Sequence, residues 1–352
     1  MLIIALPFRK PWLSLLLFVY ANISLATCPT PQLQSQFDQI ELKLLNNPDN
    51  RYFQLAYSIL MSECESPIAQ SKWQANGRSL TSLGFSTNPS RLSNLNAFEI
   101  TLPEGTLSFL NQSKPKSSVF GGVDISVNLI YNNQYSLAMS VSRQEYAMVA
   151  EQESYFIGID SVINKVDLAG LSVSKQTLFG IEQNTLKLFY KKTLSKKISF
   201  GVVLAENSYR NATIFNDNQL NIEVSAFLDN TLKVQAAAIS SFPQQIRAGG
   251  RYDALEFNLI KGRSVSEGVN AFLGVGLRFQ KDSQAYSPLI KNNAVRELVV
   301  LKGMALLEKS FKTKFLGDFK SYARVSYLEQ KSSLAMFEWH TLDFELGLLK
   351  SW

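Results

Sequence analysis

From Val123 onward, apolar residues fall at every second position. Val123, Ile125, Val127, Leu129 and Tyr131 alternate with Asp124, Ser126 and Asn128, the period of an extended strand with one apolar face. After Asn132-Asn133-Gln134 the alternation resumes with Tyr135, Leu137, Met139 and Val141. A second unit runs Leu220, Ile222, Val224, Ala226 and Leu228, then Asp229-Asn230-Thr231, then Leu232, Val234, Ala236 and Ala238. A three-residue loop sets Tyr131 opposite Tyr135 and Leu129 opposite Leu137. It likewise sets Leu228 opposite Leu232 and Ala226 opposite Val234, whereas a two-residue loop would pair apolar with polar positions. Three-residue hairpins are therefore predicted, with Asn accepting the left-handed conformation. Val269, Ala271, Leu273, Val275, Leu277 and Phe279 form a further apolar face, against Asn270, Gly274, Gly276 and Arg278. Phe315, Phe319, Ala323, Val325 and Tyr327 form another, against Asp318, Lys320 and Arg324. Residues 79–352 thus read as an antiparallel β domain. Allowing roughly 20–24 residues per strand and connection gives twelve or fourteen strands.

The N-terminal part has a different period. Residues 1–26 read as a signal peptide, with Arg9 and Lys10 before the short apolar core from Trp12 to Val19 and Ser24-Leu25-Ala26 at the cleavage site. Pro11, Asn22 and Ser24 bound a core too short to span comfortably as an anchor. Leu33, Phe37, Ile40 and Leu44, then Phe53, Ala56, Tyr57 and Leu60, give two helical faces broken by Asn46-Asn47-Pro48-Asp49-Asn50. A third helical stretch is expected from Pro67 to Ala75, carrying Ile68 and Trp73. Residues 27–78 are therefore expected to form a small helical region. Two antiparallel helices bring Cys28 and Cys64 together, and an exported chain meets oxidising conditions, so a Cys28–Cys64 disulfide is expected.

Composition narrows the class. Beyond the N-terminus no apolar run approaches the roughly 20 residues of a spanning helix, so a polytopic helical membrane protein is excluded. Removing residues 1–26 lowers the net charge from +6 to +4, too mild a balance to argue for nucleic acid. Alternation fits a soluble sandwich as well as a membrane barrel. The barrel is favoured by alternating segments of 7–11 residues and by 23 Phe and 13 Tyr, enough for interface girdles. The C-terminus adds a third argument. Leu342, Phe344, Leu346, Leu348 and Trp352 share one parity, against Asp343, Glu345 and Gly347. Such a strand, ending in an aromatic residue, resembles the terminal assembly signal of bacterial outer-membrane barrels. Lys350 departs from that pattern, and near a strand end its ammonium can snorkel to the headgroups. The resemblance implies the outer membrane of a Gram-negative cell, a periplasmic N-terminal region, and barrel-assembly machinery and lipid as partners.

Candidate chemistry is sparse. His340, the single histidine, has outward parity and no partner for nucleophilic or acid–base catalysis. One His and two Cys cannot make a four-ligand metal site. Gly121-Gly122 and Gly274-Val275-Gly276 lie inside strand patterns and are not phosphate loops. No catalytic, cofactor or metal residue is assigned, and an enzyme is not expected. Lys191-Lys192 and Lys196-Lys197 flank a turn and read either as a solvated loop or as a contact for anionic headgroups. Glu223, Lys233, Glu256, Arg278, Asp343 and Glu345 face the predicted interior, where they either fill it with salt bridges or line an aqueous path.

Leu83-Gly84-Phe85-Ser86-Thr87-Asn88-Pro89-Ser90-Arg91-Leu92 and Ile100-Thr101-Leu102-Pro103-Glu104-Gly105-Thr106-Leu107 resemble the barrel entry of proteins with a periplasmic tetratricopeptide region before an outer-membrane barrel. The surface lipoprotein assembly modifiers have that architecture. Their entry segment typically reads Gly-Tyr-Asp-x-Asn, from which Phe85 and Ser86 depart, and their helical region is longer. The resemblance implies a barrel that assists export or surface display of a partner protein, with 27–78 as its docking region. The alternatives are a passive porin-like channel and a structural barrel.

Overall fold

The computed structural model describes residue 40 and residues 73–351, apart from 96, 103–104, 112–113, 132–133, 150–151, 164–166, 179–180, 196, 230, 288–293 and 314–316. The signal peptide, the helix pair, the Cys28–Cys64 bridge and Trp352 lie outside the described residues.

Sixteen strands follow in order. The first eight are β1 (Trp73–Ser86), β2 (Ala97–Leu102), β3 (Gly105–Leu110), β4 (Ser118–Tyr131), β5 (Tyr135–Tyr146), β6 (Gln152–Ile163), β7 (Asp167–Leu178) and β8 (Ile181–Thr193). They continue with β9 (Ile198–Tyr209), β10 (Asp217–Phe227), β11 (Leu232–Pro243), β12 (Tyr252–Ser266), β13 (Val269–Ala285), β14 (Val295–Thr313), β15 (Gly317–Ser332) and β16 (Trp339–Ser351). β1 and β4–β16 close into an antiparallel barrel of 14 strands, with β1 bonded to both β4 and β16. β2 and β3 form a separate hairpin inserted after β1.

The hairpin registers match the face argument. Tyr131 pairs with Tyr135 and Leu129 with Leu137, and Ala226 pairs with Val234. Two expectations need correction. β1 begins at Trp73, six residues ahead of position 79, so Trp73–Ala75 are extended and not helical. The reason is a ready partner: Trp73 through Gly77 pair with Tyr131 back to Val127, and ladder pairing overrides a short local helical signal. The barrel strands also run 11 to 19 residues, longer than the alternating segments. The ladder continues past the apolar band into residues whose hydropathy no longer alternates, as in Lys309–Thr313 of β14.

The even-odd rule of strands then sorts every side chain. Leu83 (63% exposed), Leu273 (63%) and Leu346 (66%) look outward, while Asn76, Ser172, Glu345 and Lys233 are buried on the inner face. Apolar residues outside and polar ones inside invert the arrangement of a soluble protein. Connections at one end, the turn end, are two to four residues long; those at the other, the loop end, run from two to nine, with 31 between β1 and β4. Four inward glycines sit directly opposite an aromatic ring that lies over them: Gly84 with Phe120, Gly170 with Phe189, Gly262 with Phe272 and Gly347 with Tyr322. A Cβ at any of the four would collide with that ring, so each pair fixes register through one large and one absent side chain.

The closure between β1 and β16 is stitched at the loop end. Thr87 N donates to Leu342 O (3.1 Å) and Leu342 N donates back to Thr87 Oγ1 (2.8 Å). Asn88 is fully buried; its Nδ2 donates to Leu92 O (2.7 Å) and His340 O (3.1 Å), and its Oδ1 accepts from Leu92 N (3.1 Å). Asn94 Oδ1 accepts from His340 N (2.6 Å).

Candidate functional site

The candidate site is the lumen, and its two halves differ. Along β12–β16 it is filled. Lys302 Nζ lies 2.8 Å from Glu256 Oε1, and Asn258 Nδ2 donates to the same oxygen (3.2 Å). Arg296 grips Asp282 through two hydrogen bonds of 2.9 and 3.2 Å. Glu345 accepts from Tyr322 OH (2.6 Å) and pairs with Arg324, while Glu308 lies 3.7 Å from Lys320. Phe272, Leu306 and Tyr322 pack together among these charges. Buried carboxylates with cationic and hydrogen-bonding partners are the arrangement in which charge is tolerated in a restricted interior.

Along β1 and β4–β11 the lumen is open. A cavity of about 700 Å³ follows this wall. Its cause can be read from the register. One row across the sheet is Asn76, Asn128, Ala138, Gly158, Ser172, Lys187, Ala205 and Gln219. The row above it is Arg78, Ser126, Ser140, Phe156, Ser174, Thr185 and Asn207. Small hydroxyl, amide and alanine side chains leave the space that Arg, Tyr and Leu occupy opposite.

Charge in the open half is nearly balanced. Arg78 pairs with Asp124 at 3.8 Å and donates to Ser126 Oγ (3.1 Å). Glu223 accepts from Gln235 Nε2 (3.2 Å). Lys187 is different: it stands between Ser172 and Ala205, is exposed within the lumen, and has no ion pair among the described residues.

The sequence-predicted positions can now be located. Glu223, Lys233, Glu256, Arg278, Asp343 and Glu345 all face inward by register. Both readings of them apply, to different halves: filling around Glu256 and Glu345, an aqueous wall around Glu223. Leu342, Phe344, Leu346 and Leu348 face outward on β16, as parity required. His340 is exposed with outward parity, and its backbone anchors Asn88 and Asn94. Lys191 and Lys192 part company, one lining the cavity and the other facing out. The Leu83–Leu92 segment forms the end of β1 and the stitched closure, and Ile100–Leu107 falls in the β2–β3 hairpin. The sequence reading missed Lys187 and the serine rows; each lies on a polar strand face, but only cross-strand register joins them.

No family model matches the chain, and no curated protein matches it. Among solved structures, a bacterial polysaccharide outer membrane secretin is 10% identical and covers 80% of this chain and 99% of its own, with a TM-score of 0.44. OmpT, an outer membrane protein of Vibrio cholerae, is 10% identical with 82% and 100% covered and a TM-score of 0.40. OprD of Pseudomonas aeruginosa is 10% identical with 79% and 95% covered and a TM-score of 0.38.

Proposed function

We propose that the chain is an outer-membrane barrel through which small hydrophilic solutes pass along the open half of the lumen. The exterior supports the membrane reading: a closed barrel has no edge strand and satisfies its backbone internally, which hydrocarbon demands. Short turns at one end and longer connections at the other support a periplasmic turn end. The observation that carries the channel reading is the polar cavity, whose lining runs from Asn76, Asn128 and Ser351 near the turn end to Gln183, Asn207 and Gln219 near the loop end. Spread over a barrel band of about 25 Å, a volume of about 700 Å³ gives a mean cross-section of about 30 Å². That admits water and small solutes. Export or display of a partner protein, implied by the resemblance, rests on a helical region outside the described residues and gains no support from the lumen.

Planar-bilayer recording of the purified protein tests this. Stable, discrete conductance steps are expected, and Ser172→Trp, which places an indole in the cavity, is expected to shrink them. A well-folded protein giving no steps would refute the reading.

A further inference from the structure

The two outward-facing rims of the barrel are built on opposite electrostatic plans. At the loop end, outward charges neutralise one another. Arg143 pairs with Glu145 (2.8 Å) and Glu153 (3.2 Å), Lys175 with Glu182 (3.2 Å), Arg251 with Asp253 (2.9 Å), Lys281 with Glu297 (2.7 Å) and Lys331 with Glu329 (3.7 Å). The turn end carries mainly bases: among the described strand residues its outward acid is Asp167 of β7, beside Lys192, whose carboxylate oxygens (those of Asp167) accept from Tyr190 OH (3.2 Å) and Thr193 N (3.0 Å). On β8 the outward face runs Glu182, Asn184, Leu186, Leu188, Tyr190, Lys192; on β12 it runs Asp253, Leu255, Phe257, Leu259, Lys261, Arg263. On β14 it runs Glu297, Val299, Leu301, Gly303, Ala305, Leu307, Lys309, and on β16 it ends Leu346, Leu348, Lys350. In all four, the strand descends from the loop end and meets its outward base just past the apolar band.

Lys192, Lys261, Arg263 and Lys309 are exposed and make no ion pair among the described residues. The acid that Lys261 does feel, Asp229, is engaged by Thr231 and Leu232 of its own turn. The apolar band sets the height of these bases. From Asp253 to Lys261 the chain rises about 3.3 Å per residue at a tilt near 40°, so the two charges stand about 20 Å apart along the barrel axis. Lysine and arginine at that level extend their heads into the headgroup layer while their stems cover hydrocarbon.

We propose that this belt binds anionic phospholipid headgroups of the leaflet at the turn end. A headgroup phosphate supplies the counter-charge that the loop-end rim draws from its own carboxylates. The proposal rests on the membrane reading but not on conduction, and it holds equally for a barrel that passes nothing.

The test is reconstitution of the full chain into vesicles of equal parts phosphatidylethanolamine and phosphatidylglycerol. The protein is then extracted in mild detergent and its retained lipids counted by native mass spectrometry. Each base beside an anionic surface contributes a factor of about five, so phosphatidylglycerol is expected to be enriched at least about threefold over the vesicle ratio. The K192Q/K261Q/R263Q/K309Q variant is expected to return to the vesicle ratio, and the loop-end variant K281Q/K331Q to retain the enrichment. If the quadruple variant does not fold, K261Q and K309Q singly are each expected to lose part of it. An inserted wild-type protein with no enrichment, or equal losses in the turn-end and loop-end variants, overturns the belt alone. Failure to insert into either lipid overturns the membrane reading with it.

Discussion

Leu346→Arg puts the membrane reading to its sharpest test. Leu346 is the most exposed of the outward apolar residues of β16, at 66%, and pairs with Leu83, itself 63% exposed. It lies four residues from Lys350 and six from His340 along the strand. With a rise of about 3.3 Å per residue and a tilt near 40°, it stands about 10 Å from the turn-end rim and about 15 Å from the loop-end rim, close to mid-bilayer. Arginine there costs about 2–4 kcal/mol, whereas a charged substitution near an interface costs about 0–1 kcal/mol. Leu348→Arg, one outward position nearer the rim, should fall between these limits, and Lys350→Arg should cost nothing measurable. Urea titration of the three variants in lipid vesicles reads the gradient directly. On the surface of a soluble protein the same substitutions stay within about 0.5 kcal/mol. A flat profile across 346, 348 and 350 would therefore refute the assignment of this face to lipid.

The remaining predictions concern the interior, the closure and one turn. Lys187→Glu should shift the reversal potential under a KCl gradient toward cation preference, with Lys187→Gln intermediate; one charge about 6 Å from the path in a water-like dielectric changes relative permeability by about threefold per unit, and conductance steps with unchanged selectivity would count against Lys187 facing the path. Gly347→Ala drives a methyl into the Tyr322 ring and should lower stability by about 1–3 kcal/mol, measured as a shift in the urea midpoint. Asn88→Ala removes the hydrogen bonds to His340 O, Leu92 O and Leu92 N, at about 0.5–1.5 kcal/mol each, and should speed amide exchange in the first residues of β16 more than in β10. Asp229 accepts from Thr231 Oγ1, Thr231 N and Leu232 N, the first two being the main reasons that its pKa lies below the ordinary carboxylate range. Its folded value is depressed, so its contribution is complete above the unfolded pKa of about 3.9 and disappears as pH falls through the folded value. The gap in urea midpoint between wild type and Asp229→Ala should accordingly close in acid and stay constant from pH 6 to 8.

Which parts of this barrel its sequence discloses depends on how local the signal is. The face of each strand is local. Alternation from Val123 to Tyr131 fixed the outward set, and matching it across Asn132-Asn133-Gln134 fixed the Tyr131–Tyr135 register. The start of β1 is not local. Trp73–Gly77 alternate over too short a run to mark a strand against a competing helical spacing, and they are extended because β4 offers them a full-length partner. Strand length is not local either, since Lys309–Thr313 pair with β15 after their hydropathy pattern has ended.

The lumen shows the deeper limit. Ser172 on β7, Lys187 on β8 and Ala205 on β9 are unremarkable polar-face residues on their own strands. They become a wall because two successive registers bring them side by side, and a one-residue slip in either would send its partner's side chain to the outer face. Glu308 and Lys320, by contrast, meet across one register only, and their half of the lumen is filled because large side chains occupy successive positions there. Whether a strand face lines space or fills it is thus decided by side-chain volume summed along a row, not along a strand. The open half joins a row that is mostly Asn, Ala, Gly and Ser, interrupted by Lys187 and Gln219, to a row that is mostly Ser, Thr and Asn, interrupted by Arg78 and Phe156. The closed half sets Phe272, Leu306, Arg324 and Glu345 in one row, and Glu256, Arg278, Val300 and Gln330 in another. Substituting volume along a row should therefore move the boundary between path and plug while leaving every strand's outward face, and so its place in the membrane, unchanged.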